Sequence, residues 1–280
     1  MAGKKPSRVC QPYYYKNACT NLGQPREQAV LMRMTLFIFA LLLCGGQAAA
    51  NDLHFVTEEF PPFSYSSGNN AGGALPDVVN QVCRMLNYRC SIEVLPWRRA
   101  LQLAEDGEVD GIFTVIQSPA RNQAFFITPM LVTSGYDFYT RRDNDFTYQR
   151  PEDLRGRQIG VYGPSGTSFV LSETLKGVAD AEIRLVTDNQ RLMLMLNAGR
   201  FGQNGLVLLN RDVARHLVDH HQLYGVRPAG HLAAIAYGIG FSRKKVSEVQ
   251  FQAFNAGLMT LIKDGQLTAI LQRYGLQPVN

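Results

Sequence analysis

No apolar run in this sequence approaches the roughly 20 residues that a helix needs to cross the hydrocarbon core of a bilayer. The run that stands out, MTLFIFALLL from Met34 to Leu43, is only about ten residues long, which excludes a spanning anchor there. Arg33 precedes it, and the small residues Gly45 to Ala50 follow, ending in Ala48-Ala49-Ala50 before Asn51. That layout is a secretory signal peptide, expected to occupy residues 32–50 and to be cleaved after Ala50, so the mature chain is expected in the periplasm. A lipid anchor through Cys44 is disfavoured because Leu43 is too bulky for the small residue a lipobox carries at that place. Residues 1–31 are polar and rich in Tyr and Lys, and they read as a misassigned start upstream of Met32 or Met34. A short disordered tail is the alternative.

Past residue 50 the chain also lacks a charge excess. The whole sequence has 28 Lys and Arg against 23 Asp and Glu, but its first fifty residues hold six of the former and one of the latter, leaving 22 of each. No basic surplus therefore argues for nucleic acid or anionic lipid as a partner. Cysteine is scarce: of five, only Cys83 and Cys90 follow Asn51. An even count in an exported chain favours a disulfide, here closing a short loop with an entropic effect on the order of 2–3 kcal/mol. No further Cys or His lies at ligand spacing nearby, so a metal reading of the pair is weak. His216 and His220 have a zinc-like spacing of four, yet Leu217 stands where a catalytic Glu would follow the first His, and a solvated helix face is expected. GPSGTS (Gly163 to Ser168) is not a G-x-S-x-G elbow, and no ordered Ser, Asp, His set supports hydrolysis. GIGFSR has too few glycines for a dinucleotide fingerprint. No catalytic set, metal or cofactor is expected.

What remains is an alternation of strand-like and helical patterns over the whole of the later chain. Leu53 to Glu58 reads as a strand, Pro76 to Leu86 as an amphipathic helix and Cys90 to Pro96 as a strand. A helix ending before Gly107 and a strand from Asp110 to Ile116 complete a β-α-β-α-β unit. After the charged stretch TRRDNDFTYQRPEDLRG, a second unit repeats the outline, with strands at Arg157 to Gly163, AEIRLVT and Gly205 to Asn210 separated by helices. Ala234 to Ser242 reads as an extended segment, and two helices close the chain.

Several strings in this order resemble the bacterial extracellular solute-binding proteins of family three, the polar amino-acid type. EEFPPFSY is similar to the family's opening strand and aromatic loop; IQSPARNQAFFITPM resembles its stretch in which an Arg precedes an F-x-T strand; NAGLMTLIKDGQLTAILQRYG resembles its closing helices. The Cys83 and Cys90 pair falls where some members carry a disulfide. The resemblance implies an α/β, two-lobed periplasmic-binding-protein fold (type II), with two open α/β sheets joined by two hinge crossovers. These are placed near Phe138 to Arg141 and near Ile235 to Gly238. Lobe one would comprise 53–138 plus 238–280, and lobe two 141–235. Gly238 and Gly240 suit a hinge that concentrates its angular change in a few residues.

Arg121 matches the family Arg that grips a ligand carboxylate with a fork of two N–H donors. Thr114 resembles the family's ligand-facing hydroxyl, whereas Ile116 stands two residues on, where a Ser is common. Phe60, Phe63 and Tyr65 occupy a Pro-punctuated loop from which aromatics can cover a ligand and a phenol can hydrogen-bond it. Trp97 and Arg98 sit at a strand-to-helix junction, and strand C-termini in open α/β sheets face the cleft. Ser165, Gly166 and Thr167 open a helix and can offer hydroxyls and N–H groups to an anion. Where the family's amino-acid binders place an acid for the ligand ammonium, this chain reads LLNRDVAR, with Asn210 or Arg211 at the position and Asp212 one step further. Arg211 facing the cleft would repel an ammonium and favour a dicarboxylate; a shift by one residue would restore the acid.

The reading is a monomeric periplasmic solute-binding protein, not an enzyme, that captures an amino acid or related carboxylate for an inner-membrane ABC permease. Alternatives are a cyclohexadienyl dehydratase-like enzyme, since that class shares the fold, and a ligand-sensing partner of a membrane signalling protein.

Overall fold

The computed structural model describes residues 52–279. The expected signal peptide, its cleavage site, Cys44 and the N-terminal extension lie outside them.

β1 (Asp52–Thr57) sends Phe55 into one core and Val56 into another, as the two-residue period of a strand requires. A small hairpin, β2 (Tyr65–Ser67) and β3 (Asn70–Gly72), leads into helix α1 (Ala74–Met85) and β4 (Arg89–Val94). Leu75, Val78, Val79 and Val82 recur at helical spacing on α1, and all are buried. Cys83 near its end is bonded to Cys90 in β4 across a Cα separation of 6.2 Å. Helix α2 (Trp97–Asp106) then ends at Gly107, whose φ of 80° suits glycine, and leads into β5 (Gly111–Val115).

Beyond β5 come a short helix α3 (Pro119–Ala124), capped by Ser118, and β6 (Phe125–Ile127). β7 (Val132–Arg141) opens the second half of the molecule. That half runs β8 (Gln158–Tyr162), α4 (Gly166–Thr174), β9 (Glu182–Val186), α5 (Asn189–Asn197), β10 (Leu206–Asn210) and α6 (Arg211–His221). The chain returns along β11 (Val226–Ser242) and finishes with α7 (Glu248–Lys263), α8 (Gln266–Arg273) and β12 (Gln277–Pro278).

The strands lie in the order β4-β1-β5-β11-β7-β10-β8-β9. β1 pairs in parallel with β4 and β5, and β8 in parallel with β9 and β10. These are two open α/β sheets, and β11 belongs to both. Its last part, Gly238 to Phe241, pairs with β5, while Val226 to Tyr237 pairs with β7. The return strand is longer than the extended segment expected at Ala234 to Ser242. Register shifts at Pro228/Gly230 and His231/Ala233 interrupt the alternation by which a strand is read. The crossover expected at Phe138 to Arg141 falls inside β7, where Phe138 pairs with Leu208 and Tyr139 with Val207. β7 begins at Val132, opposite Tyr237, where β11 passes from one sheet to the other.

An aromatic cluster supports the first sheet from beneath. Phe55, fully buried, has Phe241 edge-on at 5.4 Å, Phe254 at 5.9 Å and Phe113 at 6.4 Å between ring centroids. Gly111 pairs with Phe55 across the ladder, and a Cβ there would stand 2.6 Å from the Phe55 ring. Only glycine leaves room for that ring at this point.

Candidate functional site

The C-terminal ends of the strands in both sheets converge on one cavity of about 510 Å³. Its walls include Glu58 just after β1, Trp97 and Arg98 opening α2, Thr114 and Ile116 at the end of β5, and Arg121 on α3. The second sheet contributes Tyr162 ending β8 and the segment Pro164 to Thr167 that opens α4. Tyr136 of β7 and Tyr237 of β11, the two strands that link the sheets, face it as well. Of the residues singled out from sequence, Phe60, Trp97, Arg98, Thr114, Arg121, Ser165, Gly166 and Thr167 are brought together here.

Three others stand elsewhere. Phe63 is fully buried behind the wall, stacked on Phe60 at 5.2 Å and edge-on to Tyr237 at 5.4 Å, so it props the lining without reaching the cavity. Tyr65 lines a second groove with Glu59, Asp188 and His216, because the hairpin β2-β3 turns it away. Arg211 is held by Asp137, with Nε 2.7 Å from the carboxylate, and its guanidinium also lies 3.0 Å from His231 Nδ1. None of Asn210, Arg211 and Asp212 lines this cavity. Asn210 caps α6 by accepting from the N–H groups of Asp212 and Val213, and its amide donates to the Tyr237 hydroxyl at 3.1 Å. Asp212 accepts from Ser134 and pairs with Arg215 at 2.9 Å. Arg211→Ala should accordingly leave ligand affinity unchanged while costing about 1–2 kcal/mol of stability, because Asp137 keeps only His231. Urea melts and a binding titration on the same variant check both halves.

Local structure explains how the wall is held. Ser64 donates to the Glu58 carbonyl at 2.9 Å and shares a hydrogen bond with Thr57, which fixes the loop carrying Glu58 and Phe60. Phe113 and Val115 pair with the consecutive residues Ile239 and Gly238, which leaves Thr114 out of the ladder. Thr114 has a φ of 68°, a left-handed conformation that a β-branched residue adopts at a cost of order 1–3 kcal/mol. This irregularity re-aims the end of β5 at the cavity. Ser165 is spoken for: its hydroxyl donates to the Tyr162 carbonyl at 2.7 Å and accepts from the Ser168 N–H, closing a capping box. Of that trio, Gly166 and Thr167 keep the first N–H groups of α4 directed outward.

The electrostatics are uneven. Arg121 is anchored to Glu105 on α2 and is partly exposed, and Arg98 has no ion-pair partner among the described residues. Glu58 is 7 % exposed, and its Oε2 has no hydrogen-bond partner. Burial pushes its carboxyl up to about 8, with the Tyr162 phenol opposing more weakly. Tyr136, Tyr162 and Tyr237 are all raised, chiefly by burial, so their phenols stay protonated. Tyr237 lies 3.4 Å from the Tyr136 hydroxyl. Sequence reading missed Glu58, Tyr136, Tyr162 and Tyr237. Glu58 is one of two adjacent acids before the aromatic loop, with nothing local to tell them apart, and the tyrosines lie on strands whose facing only the assembled sheets define.

A cleft bounded by two open α/β sheets and two linking strands, lined from both sides by strand and helix termini, defines a two-lobed receptor architecture. The chain belongs to the bacterial extracellular solute-binding proteins, family 3, whose model matches residues 53–277. Among curated relatives, the L-cystine-binding protein TcyJ of Escherichia coli strain K12 is 23% identical over 225 residues, covering 77% of this chain and 79% of TcyJ. The fold is that of the type II periplasmic binding proteins. An ancestral arginine-binding protein bound to arginine matches with a TM-score of 0.71 at 20% identity, over 80% of this chain and 98% of its own. A histidine kinase sensor domain with similarity to periplasmic binding proteins matches with a TM-score of 0.73 at 19% identity, over 82% and 99%.

Proposed function

We propose that the protein is a periplasmic receptor for an amino acid or a closely related small molecule, delivered to an inner-membrane ABC permease. The observation that carries this reading is the composition of the cavity described above, to which both sheets contribute lining residues around two arginines and a buried carboxyl. Lobe one would comprise the residues up to about Leu131 together with those from Gly238 onward, and lobe two the stretch between. The two linking strands, near Val132 to Gly135 and Ile235 to Gly238, would serve as the hinge. Ligand touching both walls stabilises the closed arrangement, and a permease would read that closed form. Arg121 and Arg98 would take a carboxylate, Gly166 and Thr167 would add N–H donors, and Phe60, Trp97 and Thr114 would shape the remainder. Export would follow cleavage after Ala50, and the relatives' named ligands, cystine and arginine, support an amino-acid-like ligand.

The test is a thermal-shift screen of protein from Asn51 onward against amino acids, dicarboxylates, polyamines and prephenate. A ligand at about 100 times its Kd should add roughly 2.7 kcal/mol and be recovered unchanged. Arg121→Ala should then weaken a carboxylate ligand by more than about tenfold without unfolding the protein. Prephenate that is bound and consumed would replace the receptor reading with a dehydratase, and unchanged affinity in Arg121→Ala would remove that residue from the site.

A further inference from the structure

The second groove, of about 540 Å³, lies apart from the cleft and gathers a residue type that the chain otherwise uses sparingly. Three of the five histidines, His216, His220 and His221, fall in the second half of α6, and all three line it. The rings of His216 and His220 stand 5.7 Å apart between centroids and only 13° from parallel. An i, i+4 spacing produces this, because it places two side chains as neighbours on one helix face. His220 is exposed and His216 half-buried, and neither ring takes part in a hydrogen bond or ion pair among the described residues. Glu59, from the loop after β1, lines the same groove. The Ser66 N–H donates to its Oε2 at 3.0 Å, which steadies the side chain and leaves Oε1 for another partner. Asp188 lines the groove too, but it caps α5 by accepting from the Arg191 N–H at 2.6 Å. Leu217, where a zinc peptidase helix carries its catalytic Glu, is buried, so this pattern suits holding an ion and not hydrolysis.

We propose that His216 and His220 chelate one divalent first-row transition-metal ion, with Glu59 as the third protein ligand, at a site separate from the cleft. Neutral imidazole suits zinc, copper and nickel, the carboxylate adds opposite charge, and water fills the remaining coordination. Among the described residues no three such donors already stand at coordinating separation. Rotation of the two rings about χ2, which is a broad torsion, and reorientation of one exposed carboxylate bring them together. Glu59 belongs to the loop after β1 and the histidines to the second half of the molecule, so the bound ion ties the two walls of the groove to each other. The site is independent of what the cleft binds.

The experiment is calorimetric titration of the protein from Asn51 onward, free of any polyhistidine tag, with Zn²⁺ and Cu²⁺ in a non-chelating buffer and with Mg²⁺ as a hard-cation control. One ion should bind per chain, Cu²⁺ more tightly than Zn²⁺, and Mg²⁺ should not compete. His216→Gln and His220→Gln should each weaken Zn²⁺ by at least about tenfold and Glu59→Gln by about three- to tenfold, whereas His231→Gln leaves the affinity unchanged. One equivalent of Zn²⁺ should shift the imidazole proton resonances of His216 and His220 and not those of His54 and His231. Wild-type Zn²⁺ affinity in the variant carrying both His216→Gln and His220→Gln, or no binding at about 1 mM Zn²⁺, would overturn the site. Weakened binding in Asp219→Asn with wild-type affinity in Glu59→Gln would overturn Glu59 as the third ligand.

Discussion

Replacing Glu58 by Gln should make the ligand-free protein more stable at pH 8 than the wild type while leaving the two nearly equal at pH 5. The carboxyl is raised from 4.5 to about 8 by burial in the folded state. Between those values the native protein binds more protons at this site than the unfolded chain does, so stability falls as pH rises. The favourable contribution of the protonated acid is complete below about pH 4.5 and is lost on approach to pH 8. Its integrated size is of the order of 5 kcal/mol as an upper bound, because each unit of pKa corresponds to about 1.4 kcal/mol. Gln keeps the shape and removes the titration, so its stability should be flat over this window apart from groups common to both proteins. Urea melts at intervals from about pH 5 to pH 8 decide the matter. Parallel curves for the two proteins would mean that Glu58 titrates normally and that its burial is relieved in solution.

The largest loss of stability is expected from Phe55→Ala. Phe55 is fully buried at the centre of the first sheet and touches Phe113, Phe241 and Phe254 on three sides. Gly111 beneath it carries no side chain that could move into the vacated space. Truncation therefore leaves a cavity with little scope for collapse, and Phe→Ala at such sites costs about 3–5 kcal/mol. For a chain of this size each kcal/mol lowers Tm by roughly 2–4 °C, which places the total on the order of 10 °C. The lining of the cleft comes from the other end of the strands, so ligand affinity of the folded variant should be unaffected. A denaturant midpoint that moves by less than about 1 kcal/mol would show that the neighbouring rings refill the space.

Much of this architecture is legible without coordinates because it is local. The period of Leu75, Val78, Val79 and Val82 defines α1, and the alternation in LHFVTE defines β1. Ser118 before Pro119 and Ser165 three residues before Ser168 mark helix starts that the structure contains. β11 was harder to read, since its bulges at Pro228/Gly230 and His231/Ala233 shift the faces midway. Phe138 to Arg141 likewise has a strand's composition, and it lies within β7.

The amino-acid sequence by itself determined the alternating elements, the two-sheet class, the chemistry available at strand ends such as Trp97, Arg98, Thr114 and Arg121, and the pair Cys83 and Cys90. Only the tertiary structure decided which side chains share a cavity. Arg211 is adjacent in sequence to Asn210, yet its guanidinium is drawn to Asp137, distant in sequence and brought near by the pairing of β7 with β10. Glu58 has a normal carboxyl in the unfolded chain, and its perturbation arises when residues from β7, β8 and β11 close around it and water is excluded. Propensity and patterning depend on neighbours along the chain, whereas burial, pairing and pKa depend on neighbours in space, which the folded topology alone supplies.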